Sequence, residues 1–422
     1  MKPFWVFCTI IVFCFTGCGG SQTHSESSGE EIGNFQVPEI IEANLQVQVF
    51  KGNPNEVKSI FVFLDGTRNN SQTGTNVWRL FDLIKRINNP QTTSIYIEGV
   101  GLDSPIFGAA IGGGLESRIR RGYEFITNHY KQEDDIYIFG FSRGAHAARS
   151  LAGLLSYAGI PIIDTESNQG SSKVGNKIIE LVKRRAEKDF LEKWENWKPG
   201  QPPLLTEEIK HQLNLNVQST EVKFLGVWDT VPGSSFKKYL DCNEKRGIFK
   251  RFFYWLPGIS KEERYKTDSY PAIRHIAHAV SFDEKRSKFF PLLLCPAINQ
   301  EFTTIQEVWF PGAHSDVGGG YEDSSELPAV SLNWMVNKLS EHYQFKTDPP
   351  NFEENPQGLA HWSFGEEPGN FMSDCEDRQP PEEALIHESV NERQNSVGGV
   401  PILDRGKLLK LPYPIKCSDM NS

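Results

Sequence analysis

Gly140-Phe141-Ser142-Arg143-Gly144 sets a serine between two glycines. It directly follows the apolar run Ile136-Tyr137-Ile138-Phe139 and directly precedes Ala145-His146-Ala147-Ala148-Arg149, a good helix former. G-x-S-x-G alone is a weak pattern. Strand, sharp turn and helix around it make the setting in which a serine is presented as a nucleophile. A side chain at the tip of a strained turn needs small neighbours, so Gly140 and Gly144 let adjoining backbone pass close to Ser142. The helix start behind it aims N–H groups at developing negative charge. The bland alternative is a tight structural turn with a bystander serine.

A serine attacks a carbonyl only when a base takes its proton and a carboxylate orients that base. Asp229 ends the run Lys223 to Val227 within Val227-Trp228-Asp229-Thr230-Val231. His314 lies in the glycine-rich stretch Phe310 to Gly320, after the run Glu307 to Phe310. Ser142, Asp229 and His314 therefore come in the chain order of α/β-hydrolases, each just past an expected strand. Asp316 rivals Asp229; only two residues from His314, it is also suited to bracing the loop or binding backbone N–H groups. His314-x-Asp316 as part of a metal site is a further alternative, without a second histidine pair nearby. His275 and His278 fall in Ala272 to Val280, which reads as a buried helix and makes them structural. His146 sits four residues after Ser142 on its helix and points away. The developing oxyanion needs backbone donors. The N–H of Arg143 is one; the other is assigned to Gly66 or Thr67, in the loop Leu64 to Asn70 after an early strand. Asp65 either pins that loop or is an ordinary turn aspartate.

The elements that must hold these residues follow from periodicity. Ser59 to Leu64, Ser94 to Val100, Asp135 to Phe139, Lys223 to Val227 and Glu307 to Phe310 read as buried parallel strands. Asn76 to Ile87 has helical spacing with Asn76 as N-cap, and Glu116 to Tyr130 and Ala145 to Tyr157 read as helices. The alternation predicts an α/β-hydrolase-like, mainly parallel sheet with helices on both faces and helical insertions. The catalytic domain is expected over 37–345, with insertions at about 161–220 and 232–270. Residues 346–422 are expected to pack on it as loops. Ile248 to Leu256, aromatic and basic, suits either a lid or lipid-contacting surface or a core-packed insertion helix.

The chain has 422 residues, 23% charged and 38% hydrophobic, with net charge −10. That is ordinary globular composition, and no basic stripe invites nucleic acid. Lys2 and the apolar run Phe4 to Phe15 read as a signal segment over 1–17, too short to span a bilayer. Phe15-Thr16-Gly17-Cys18 resembles a bacterial lipobox, which implies cleavage before Cys18 and its acylation; a plain signal peptide is the alternative. Residues 18–36, rich in Gly, Ser and Glu, are expected to form a flexible tether. The expected location is the bacterial cell envelope, at the periplasmic face of the outer membrane. Cys242, Cys295, Cys375 and Cys417 remain, a set that allows three pairings. None forms a C-x-x-C pair, so no zinc or redox motif is present and no cofactor is expected.

Taken in order, these blocks are similar to a known family. They are Asp65-Gly66-Thr67 with Asn69 and Asn70, the Gly140 to Ala145 elbow with Arg149, Trp228 to Val231, Ala279 to Glu284 with Arg286, and Pro311 to Tyr321. Ile386 to Val390 with Arg393 resembles a late block. The set resembles an uncharacterised α/β-hydrolase family that includes the catalytic domains of type VI secretion phospholipase effectors. The resemblance implies a Ser142-Asp229-His314 triad and, in one branch, phospholipase A activity. The chain is expected to differ from that branch by its lipoprotein-type signal and by lacking a large extra membrane-docking domain. The expected function is a serine carboxylic ester hydrolase acting on lipid or phospholipid acyl esters. A hydrolase for a cell-wall or polyester substrate and a non-catalytic binding scaffold are the alternatives.

Overall fold

Strand side chains point alternately to the two faces of a sheet, and Ile60 to Leu64 buries both. The structure, a computed structural model, describes residues 45–48, 52–53, 55–99, 110–163, 170–185, 190–231, 269–364 and 373–420. The expected signal, lipidation site, tether and the aromatic segment Ile248 to Leu256 lie outside these residues. The strands are β1 (Leu45–Gln48), β2 (Ser59–Leu64), β3 (Thr92–Ile97), β4 (Asp135–Phe141), β5 (Ile160–Pro161), β6 (Val217–Gln218) and β7 (Val222–Trp228), then β8 (Ile273–Ser281), β9 (Thr304–Phe310), β10 (Ala360–His361), β11 (Leu385–Ile386), β12 (Val400–Asp404) and β13 (Lys407–Leu411). Eight of them form one sheet in the order β1-β3-β2-β4-β7-β8-β9-β11. β1 is antiparallel to β3; every other pair in this sheet is parallel.

The helices are α1 (Asn76–Ile87), α2 (Ala110–His129), α3 (Arg143–Ala158), α4 (Ser171–Lys183), α5 (Leu191–Asn196), α6 (Thr206–Leu213), α7 (His314–Gly318), α8 (Glu326–Ser340) and α9 (Glu388–Gln394). Ile60, Val62 and Leu64 pack with Ile119, Tyr123 and Ile126 of α2 and Leu151 of α3. Phe61 and Phe63, on the opposite face, pack with Leu80 and Phe81 of α1 and Leu332 and Met335 of α8. The architecture is the α/β-hydrolase type: a mostly parallel sheet covered by helices on both faces.

Three local expectations are corrected. Ala272 to Val280 is not a helix; Ile273–Ser281 is strand β8, paired on both sides. Its alanines suit a helix, but a strand buried on both faces also reads as a continuous apolar run, so periodicity does not separate the two. Thr75, not Asn76, caps α1: its hydroxyl accepts from Trp78 N–H at 3.2 Å. Asn76 is buried one residue inside, where its amide donates to the carbonyls of Val317 and Pro328, both at 2.9 Å. The tail is more than loops. β12 pairs with β10 and β13, and β11 extends the main sheet beside β9. Cys375 is bonded to Cys417, which resolves one of the open pairings.

Candidate active site

Parallel strands in register bring their carboxyl ends to one edge. Leu64 aligns with Gly140, Phe141 with Trp228, Trp228 with Ala279, and Ser281 with Phe310. Asp65, Ser142, Asp229 and the Pro311 to His314 loop therefore leave the sheet together. The order also reverses here, with β3 on one side of β2 and β4 on the other, the topological position at which open α/β sheets place their sites.

Ser142 has φ 58° and ψ −124°, a left-handed conformation that costs a non-glycine residue roughly 1–3 kcal/mol. Backbone bonds hold it there: Ser142 N–H donates to Trp228 O at 3.0 Å, and Val231 N–H donates to Ser142 O at 3.3 Å. The glycines are sterically required. A Cβ on Gly144 would stand 2.1 Å from Leu64 O, and one on Gly140 would stand 2.4 Å from Gly144 O.

Asp229, also at positive φ (36°), is fully buried at the end of β7. Its Oδ2 lies 2.5 Å from His314 Nδ1. An ionised carboxylate only accepts, so the Nδ1 proton sits on the imidazole and Nε2 is left as the basic nitrogen. His314, the first residue of α7, is 4% exposed. Its ring lies 4.6 Å from that of Phe141, the neighbour of Ser142, and 5.2 Å from that of Phe289. Burial alone would raise the Asp229 carboxyl; the Arg378 guanidinium and His314 hold it well below the usual carboxylate range.

A second buried carboxylate, Glu284, holds the backbone of His314. Glu284 accepts the backbone N–H of His314 at 3.2 Å, the Ser363 hydroxyl at 2.8 Å, and a two-point bond from Arg286 at 2.8 and 2.9 Å. Burial opposes its charge, but Arg286 outweighs burial and brings it down to about 2. Removing one partner of such a pair strands the other. Glu284→Ala should therefore cost roughly 3–5 kcal/mol in urea unfolding at neutral pH; a loss under about 1 kcal/mol would show that Arg286 re-pairs.

The loop after β2 is built on Asp65. Its Oδ2 accepts from Thr75 Oγ1 at 2.6 Å and from Tyr96 OH at 2.5 Å, and Arg118 donates to its carbonyl. Its Oδ1 accepts the Gly66 N–H at 2.6 Å. Burial pushes the Asp65 carboxyl above its usual range despite these partners. Gly66 passes beside Ser142, since a Cβ there would stand 3.3 Å from Ser142 Cβ. Because its N–H is turned onto Asp65, the N–H of Thr67 is left as the loop's candidate oxyanion donor.

Asp316 points away from His314. Its Oδ2 accepts the N–H groups of Ala313 and His361, both at 2.9 Å, and its Oδ1 lies 2.7 Å from His361 Nδ1. His361 Nε2 meets Asp323 at 3.0 Å, and Tyr321 stacks on the ring at 3.5 Å. Burial lowers the basicity of His361, but the two carboxylates outweigh it and raise it above 6.5. A raised folded pKa stabilises fully below the unfolded value and is lost as pH rises through the folded one. Wild type should therefore lose stability above about pH 6.5, and His361→Gln should flatten that fall. Equal slopes in pH-dependent thermal melts would refute the assignment.

His278 and His275 lie on β8, outside this constellation. His278 Nε2 accepts Thr230 N–H at 3.2 Å and Nδ1 meets Glu307 at 2.8 Å, which braces the residue after Asp229. His275 stacks on His342 at 3.4 Å. His146 is buried on α3. Glu284, His361 and Arg378 were missed by sequence reasoning. Glu284 stood within a recognised block, Ala279 to Arg286, and that block was its available signal. His361 and Arg378 carried none. Among the described residues no group of three or more His, Cys, Asp or Glu could hold a metal ion, and no helix is long and apolar enough to cross a membrane.

Comparison with known proteins adds to this geometry. Residues 58–338 match the family described as the type VI secretion system phospholipase effector Tle1-like catalytic domain. An uncharacterised Saccharomyces cerevisiae protein is 25% identical over 264 residues, 57% of this chain and 33% of its own. An uncharacterised Pseudomonas aeruginosa structure is 18% identical, covering 68% of this chain and 46% of that one at TM-score 0.36. The Tle1 effector bound to the VgrG spike is 19% identical over 64% and 52%, at TM-score 0.29. An esterase of Thermogutta terrifontis is 10% identical over 72% and 91%, at TM-score 0.37. The chain thus spans a third of the yeast relative and about half of the first two structures.

Proposed function

The chain belongs to the family of Tle1-like phospholipase effector catalytic domains, and from that premise we propose that it is a serine carboxylic ester hydrolase acting on lipid or phospholipid acyl esters. The observation that carries the reading is the 2.5 Å contact of His314 with buried Asp229, at the sheet edge where Ser142 stands in a strained turn. His314 Nε2 takes the Ser142 proton as Oγ attacks the ester carbonyl, and Asp229 holds the imidazole and its positive charge. The tetrahedral oxyanion rests on the N–H groups of Arg143 and Thr67. The alcohol leaves with the proton from His314, and water activated the same way releases the acid. A lipidomic comparison of membrane extracts treated with wild type and with Ser142→Ala tests the substrate class. Free fatty acid and lysolipid should appear with wild type alone; their absence, with a short ester still cleaved, would exclude lipid.

We further propose that acylated Cys18 anchors the protein in the bacterial cell envelope, at the periplasmic face of the outer membrane. The support is the lipobox-like Phe15-Thr16-Gly17-Cys18 after an apolar run. Several acyl chains hold a protein stably on a bilayer, where one does so only marginally. Metabolic labelling with an alkynyl fatty acid should mark wild type and not Cys18→Ala; equal labelling would remove the anchor from this residue.

A further inference from the structure

Resting on the reading above, we propose that Arg378 is a positioning residue for the acyl-transfer step, locking the Asp229 carboxylate ionised and in line with His314. Its fork meets both oxygens: Nη1 to Oδ1 at 2.6 Å and Nη2 to Oδ2 at 3.0 Å. Oδ2 is the oxygen that also holds His314 Nδ1. Oδ1 is shared with the Ser281 N–H at 3.0 Å. Arg378 also donates to Ser281 O at 2.8 Å and to Phe289 O. One side chain, 6% exposed, thus ties the carboxylate to the end of β8 and to the turn whose Phe289 ring lies against the imidazole.

The segment carrying Arg378 is fastened for this task. Glu376 N–H donates to Lys285 O at 2.8 Å, Ser287 N–H donates to Asp374 O at 2.9 Å, and Lys285 Nζ meets Asp377 at 2.9 Å. Cys375, three residues before Arg378, is joined to Cys417. Arg378, its neighbours Asp374 to Asp377 and Cys417 lie beyond the family-matched span 58–338, and they fasten onto Lys285 and Ser287 within it. The chain's carboxyl-terminal region thus supplies Arg378 to the site.

A buried carboxylate beside one imidazole can shed its desolvation cost by taking a proton or by turning away. A guanidinium, charged at every working pH and matched in shape to two oxygens, prevents both. Its fixed positive charge beside Asp229 also opposes, by Coulomb repulsion, charge placed on the imidazole that Asp229 holds. His278, braced on Thr230, and the Lys285–Asp377 pair are further titratable groups near this site. Without Arg378, turnover should need a higher pH, and the imidazole should wander.

The experiment uses the full chain, a soluble short-chain ester, and the far-downfield proton resonance of the His314–Asp229 hydrogen bond. Arg378→Gln should lower kcat about 10–100-fold with KM nearly unchanged, move the acid limb of kcat/KM up by about one pH unit, and shift or broaden the resonance. Arg378→Lys, which keeps the charge but not the fork, should keep the acid limb and recover part of kcat. Wild-type kcat, acid limb and resonance in Arg378→Gln would overturn the proposal. If the glutamine variant does not fold, Arg378→Lys decides: kcat down at least about threefold with a shifted resonance supports it, wild-type values overturn it. Absence of Ser142-dependent turnover in wild type would instead sink the hydrolase reading. The resonance needs no turnover and would still test the contact.

Discussion

Ser142→Ala is expected to lower kcat on a short acyl ester by roughly 10⁶-fold, with stability changed by no more than about 0.5 kcal/mol. The chemical loss is complete because no other hydroxyl is held at the elbow. The structural loss is small because alanine keeps the Cβ at φ 58°, and the bonds that hold the turn are backbone ones. Ser142 N–H to Trp228 O, Val231 N–H to Ser142 O and His146 N–H to Ser142 O all survive the change. Steady-state kinetics and a thermal melt on the same preparation check both halves. Activity within about tenfold of wild type would exclude Ser142 as nucleophile. A fluorophosphonate probe should label wild type and not the variant.

Asp229→Asn should reduce kcat by about 10⁴-fold, and unlike Ser142→Ala it should also destabilise the fold. An amide presents one accepting oxygen where the carboxylate presents two. It cannot serve His314 Nδ1–H and the Arg378 fork together, so the imidazole is free to take the wrong tautomer. The guanidinium loses its counter-charge in a buried site, which costs roughly 3–5 kcal/mol. The pH sign follows from the depressed Asp229 pKa. A carboxyl whose folded pKa is lowered stabilises above its unfolded value and loses that contribution as pH falls toward the folded one. The gap between wild type and Asp229→Asn should therefore be widest at neutral pH and narrow below about pH 4. A constant gap across that range, measured by urea unfolding, would contradict the ionised pair.

Much of the frame was legible from local pattern. Ser59 to Leu64 and Asn76 to Ile87 came out with the boundaries they have, because a buried strand and an amphipathic helix each write their period into consecutive residues. β8 did not, since Ala277 and Ala279 allow either period and only pairing with β7 and β9 decides. Gly66 and Thr67 were equal candidates for an oxyanion donor. The Asp65 carboxylate separates them by taking the Gly66 N–H, a contact set by where Thr75 and Tyr96 hold that carboxylate.

The sequence by itself determined the elbow, the strand-end placement of Asp229 and His314, and the class of chemistry proposed for them. Each of these rests on residues adjacent along the chain, where sterics and periodicity act. Only the tertiary structure decided which charges surround them. Arg378 is 149 residues from Asp229, His361 is 45 from Asp316, and Glu284 is 30 from His314. A buried charge needs a partner somewhere, and burial, which belongs to the whole fold, decides where that partner must come from.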